Sequence, residues 1–81
     1  MSFVFKNTQV DAIKVYLEPS TDEVTLSTGD ELRVTAMLQG DSEFEFHLQS
    51  NTLVIWIPRG ESASLMLNGK KLDSFSEHFV W

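Results

Sequence analysis

Glu45 and His47 stand two positions apart in the stretch EFEFHLQ, the spacing at which an extended strand points side chains to one side. An imidazole beside a carboxylate is the chemistry of a zinc ligand pair or of a general base. The only other histidine is His78, far along the chain, and no H-x-x-x-H or H-E-x-x-H spacing is present. The pair therefore reads first as part of a polar strand face. A small metal- or ligand-binding enzyme domain using His47 and Glu45 is the alternative from another class.

The remaining candidates for chemistry are carboxylates. Glu18, Asp22 and Glu23 flank one expected turn, and Asp30 and Glu31 flank another. Calcium needs several oxygen ligands converging from one loop, and no EF-hand spacing is present. Two acidic turns are unsurprising in a chain with 12 Asp and Glu, so they read as solvated loops. There is no cysteine, which excludes thiol nucleophiles, disulfides, thiolate zinc sites and a type 1 copper centre. No Gly-x-Ser-x-Gly elbow is present. A hydrolase with two carboxylates needs a cleft, for which 81 residues leave little room. The expectation is a non-enzyme without cofactor or bound metal.

Binding surfaces are the better lead. In residues 43–58, EFEFHLQSNTLVIWIP, Phe44, Phe46 and Leu48 alternate with Glu43, Glu45 and His47. Leu53, Ile55 and Ile57 alternate with Val54 and Trp56 around the polar break Gln49-Ser50-Asn51-Thr52. The two-residue period predicts a hairpin with one apolar face. If Leu48 sits opposite Leu53, Phe46 faces Ile55 and Phe44 faces Ile57. Val54 and Trp56 then fall on the other face with Glu45 and His47. Tryptophan at a surface is the type of residue that anchors an interface. Tyr16 and Met37 are outward by the same period. The tail Phe79-Val80-Trp81 is too apolar to be left free, so docking on its own sheet or on a neighbouring subunit is expected.

The other segments must present these residues. Strands are expected at 2–6, at 12–18 with Ile13, Val15 and Leu17 inward, and at 23–27 with Val24 and Leu26 inward. A longer one is expected at 31–39 with Leu32, Val34, Ala36 and Leu38 inward. Pro19-Ser20-Thr21-Asp22 reads as a turn, and Gly29 supplies a positive φ if its turn needs one. Asn68-Gly69, between residues 63–67 and 70–75, is the strongest hairpin signal in the chain, with Leu65 facing Leu72 and Met66 facing Lys71. About eight short strands with turns every eight to twelve residues and no convincing helix predict one all-β domain over residues 1–81. The expected form is an antiparallel β-sandwich or partly open barrel.

Val15-Tyr16-Leu17-Glu18-Pro19, Asp22-Glu23-Val24-Thr25-Leu26 and Gly29-Asp30-Glu31-Leu32-Arg33-Val34 resemble a V-x-L-E-P…D-E-x-x-x-L-x-x-G-D-x-x-x-V stretch of small bacterial all-β proteins of uncharacterised function. The resemblance lies within residues 15–34 and implies no site residues. Many of those proteins carry Trp after the proline, where this chain has Ser20, so any contact made by that Trp is missing here. The strand, Gly29-Asp30 turn and following strand also resemble a step common in Greek-key, cupredoxin-like sandwiches, here without a copper site.

The net charge of −6 and the scattered basic residues argue against nucleic acid and anionic membranes as partners. No apolar run approaches the roughly 18 residues that span a bilayer, and no signal-peptide pattern opens the chain. A soluble, cytoplasmic protein is expected. The function expected is a protein-interaction or self-assembly module, such as a homodimer. The contact would use Trp56, Val54 and Tyr16, or an edge extended by Phe79 and Trp81. The alternative in the same class is an acidic inhibitor or immunity-type protein that caps a basic partner through Glu43 and Glu45.

Overall fold

The computed structural model describes residues 1–37 and 42–78. Eight strands run in chain order: β1 (Ser2–Lys6), β2 (Ile13–Glu18), β3 (Asp22–Leu26), β4 (Glu31–Thr35), β5 (Glu45–Gln49), β6 (Thr52–Trp56), β7 (Ser64–Leu67) and β8 (Lys70–Leu72), followed by a 3₁₀ turn at Phe75–Glu77. They form two four-stranded sheets, ordered β1-β4-β7-β8 and β3-β2-β6-β5. The sheets pack face to face as a sandwich and, among the described residues, do not close into a barrel. Among the described residues every pairing is antiparallel except β2 with β6, which run parallel at the centre of the second sheet.

The period-2 pattern sets which side chains meet between the layers. Val15, Leu17, Val24, Leu26 and Ile55 from one sheet pack against Leu32, Val34 and Leu65 from the other in one buried cluster. Full burial of an aliphatic side chain is worth about 1.5–3 kcal/mol, so these positions carry most of the fold's favourable free energy. Four phenylalanines close one flank. Phe3 of β1 meets Phe44 and Phe46 edge-on, at centroid distances of 4.8 and 5.4 Å. Phe5 lies 5.4 Å from Phe46. The edge strands β1 and β5, one from each sheet, are thereby joined by aromatic packing.

The hairpin register is as expected: Leu48 pairs with Leu53 and Phe46 with Ile55. The expected burial of its first arm is found only for Phe44, which packs against the core. Leu48 is 74% exposed and Phe46 41%, because β5 is an edge strand and overhangs the core. Residues 73–75 do not extend β8: the chain leaves the sheet after Leu72 and turns into the short helix. Strand β4 ends at Thr35, and the expected inward position Leu38 and the turn positions Gly40 and Asp41 lie outside the described residues. Asn68 and Gly69 adopt φ values of 52° and 81°, as the hairpin turn between β7 and β8 requires.

Three polar residues fix the connections. Asn7 is fully buried. Its side chain donates to the carbonyls of Asp11 and Leu26, each at 2.9 Å, and accepts from the Gln9 N–H. Asp30 accepts from the Ser27 N–H at 2.8 Å and from the Asn68 amide at 3.0 Å. These bonds hold its carboxyl below its ordinary pKa, the Asn68 bond contributing most. Asp22 accepts from the backbone N–H groups of Phe75 and Ser76 at 2.9 and 2.7 Å. The two turns read as solvated acidic loops are therefore bonded into the fold.

Candidate functional site

The outer face of the β3-β2-β6-β5 sheet collects most of the expected interaction residues, and the parallel β2–β6 pairing is the reason. Register on both sides of β6 places Glu18 opposite Trp56 and Trp56 opposite Glu45. The next row inward runs Glu23, Tyr16, Val54, His47, and the one after it Thr25, Lys14, Thr52, Gln49. In-register neighbours share a face. Trp56 thus lies between two carboxylate-bearing positions, one strand spacing of about 4.8 Å to either side. Tyr16 and Val54 extend the apolar strip beneath it.

Trp56 is 38% exposed, whereas its chain neighbour Ile55 is fully buried on the opposite face. The expectation that Trp56 and Val54 face outward is met. Tyr16 joins them. Met37 does not: it follows β4 in the other sheet. His47, Gln49, Thr52, Val54 and Trp56 line a shallow groove of about 170 Å³ between β5 and β6.

The charges on the face are mostly negative. His47 Nε2 lies 2.7 Å from Glu45 Oε1, so the imidazole and carboxylate expected together are indeed paired. Lys14 Nζ donates to Glu23 at 3.1 Å, and that bond and charge raise the lysine pKa above its ordinary value. Glu18 and Glu45 are the carboxylates beside Trp56, Glu45 with one oxygen already shared with His47. Among the described residues, no three or more His, Asp or Glu gather closely enough to hold a metal ion. The face offers an aromatic and aliphatic strip with flanking acids, which is binding chemistry.

His78 lies at the end of the 3₁₀ turn, on the far side of the chain order from His47, and forms no set with it. Glu43 precedes β5 and is exposed. Phe79, Val80 and Trp81 of the expected docking tail lie outside the described residues. Glu18 was not singled out from sequence as a neighbour of Trp56, because only the pairing of β2 with β6 brings them together. No family model, curated protein or solved structure matches this chain.

Proposed function

We propose that this chain is a non-enzymatic protein-binding module whose β3-β2-β6-β5 face engages a basic segment of another protein. The observation that carries the reading is the row Glu18, Trp56, Glu45. A lysine or arginine over an indole gains cation–π attraction, worth about 0.5–2 kcal/mol, and here meets a carboxylate on each side. An apolar residue of the same segment fits against Tyr16 and Val54.

Charge favours a different chain as partner over a second copy. In a two-fold symmetric dimer through this face, Glu18 and Glu45 would meet the acidic rim of their own copies. The net charge of −6 likewise favours a basic protein over nucleic acid or an anionic membrane. The cysteine-free composition fits action in a reducing compartment such as the cytoplasm. No helix among the described residues is long and apolar enough to cross a membrane.

The test is affinity capture at low and moderate salt with wild type, Trp56→Ser and the double variant Glu18→Gln/Glu45→Gln, followed by identification of the retained protein. The expected result is a basic protein held by wild type, lost with Trp56→Ser, and held less strongly by the double variant. A partner retained equally by all three chains would overturn the reading. Recovery of the chain alone would replace it with self-assembly.

A further inference from the structure

Glu61 is the buried ionisable residue that the interaction face does not use. It lies in the loop between β6 and β7 and is 8% exposed. Its backbone N–H donates to the Pro58 carbonyl, but no hydrogen bond or ion pair reaches its carboxylate from the described residues. Among those residues the Ser74 hydroxyl is the only sealed side-chain group without a partner, so the unpaired Glu61 carboxylate keeps some contact with solvent, and Glu61 is one of the residues that line a cavity. A carboxylate this buried is costly unless a positive charge or donor faces it.

That cavity has a volume of about 300 Å³ at the end of the β4–β7 pair. Its size falls at the lower end of the roughly 300–1,000 Å³ range of small-ligand sites. Ala36 and Ala63 form buried apolar walls, and Met37, 76% exposed, forms the lip. Thr35 and Ser64, cross-strand neighbours, also line it, the Thr35 hydroxyl being bonded to the Ser2 hydroxyl at 2.8 Å. Glu77 also lines the cavity, but its carboxylate is engaged by Lys71 at 2.5 Å, an interaction that lowers its pKa. Among the described residues that line the cavity, Glu61 is the carboxylate without a counter-charge.

We infer that this cavity binds a primary ammonium group carried on a short alkyl stem, with the ammonium at Glu61 and the stem along Ala36, Met37 and Ala63. A bare divalent cation would find one open carboxylate and apolar walls, short of the six or more oxygens calcium takes. The ammonium can come from a free amine or from a lysine side chain of another protein.

The experiment is a two-dimensional NMR titration of the whole chain with n-butylammonium and, separately, with N-acetyl-lysine methylamide, each against n-butanol as the uncharged control. The expected result is saturable shifts at Ala36, Met37, Ala63 and Ser64 with the ammonium probe, absent with n-butanol. Glu61→Gln should weaken binding by about tenfold or more, since bonds to a charged partner are among the stronger ones. Met37→Lys, a change at an exposed position, places an internal ammonium at the lip and should block the added one. Its thermal melt checks that the fold is kept. Tighter binding of the lysine amide than of the free amine points to a protein lysine as the natural occupant, and the reverse order to a free amine. Equal affinities in wild type, Glu61→Gln and folded Met37→Lys, or shifts produced equally by n-butanol, would overturn the inference.

Discussion

The Asp22 carboxylate on β3 accepts a hydrogen bond from the backbone N–H of Ser76 at 2.7 Å, 54 positions further along the chain. The same carboxylate takes the Phe75 N–H and the Ser76 hydroxyl. Ser20 Oγ and Ser76 Oγ are 2.6 Å apart behind it. One aspartate therefore caps a helical turn that belongs to a distant part of the sequence. Asp22→Ala removes every bond of the carboxylate and is expected to cost about 1–3 kcal/mol of stability. Thermal melts check the loss. Hydrogen exchange should show it concentrated at the Phe75 and Ser76 amides, with Asp22→Asn intermediate.

Asp30 gives the fold an acid-sensitive contact. Its pKa is lowered in the folded chain by the Asn68 amide and the Ser27 N–H. The unfolded chain therefore takes up the proton first as pH falls. Asp30's contribution to stability is complete above the ordinary carboxylate range and is lost as pH drops through its lowered folded value. Asn68→Gly keeps the left-handed turn but deletes the principal bond. Asp30 should then titrate closer to its ordinary value in side-chain carbonyl NMR, with the Ser27 bond preserving part of the shift.

Leu17 and Leu48 look alike in the alternating pattern and should respond differently to truncation. Leu17 is fully buried between the sheets, while Leu48 overhangs the core on the edge strand β5. Leu17→Ala is expected to cost about 2–5 kcal/mol through lost burial and the cavity left behind. Leu48→Ala should stay within about 0.5 kcal/mol of wild type. Urea melts with unchanged slopes distinguish the two.

Charge on the Trp56 face should act on encounter rates. With a basic partner in hand, Glu45→Lys is expected to slow association and flatten its dependence on salt. Trp56→Ser is expected to speed dissociation and leave the salt dependence in place. Association and dissociation rates measured at two ionic strengths separate these effects.

What could be read from residue order was local. The Leu48–Leu53 hairpin register and the Asn68-Gly69 turn depend on alternation and on a few residues at a turn, and both are found. The inward positions of Ile13, Val15 and Leu17 follow from the same alternation. The neighbours of Trp56 depended on which strand lies beside β6. That strand is β2, in parallel and 38 positions away at the Lys14–Thr52 pair, and no local pattern encodes such a pairing. The edge position of β5 was hidden for the same reason, so Leu48 and Phe46 read as core. Asp22 read as a turn residue because its partners, Phe75 and Ser76, lie at the other end of the sequence. Glu61 gave no signal beyond its charge.

Each sheet takes two strands from the first half of the chain and two from the second: β1 and β4 with β7 and β8, and β3 and β2 with β6 and β5. The seams β4–β7 and β2–β6 run down the middle of both layers. Separating the halves would split both sheets at once and open the entire interior between them. Neither half holds a complete layer to fall back on. The two halves are thus joined edge to edge along one seam in each layer, and the molecule should come apart in a single step or not at all.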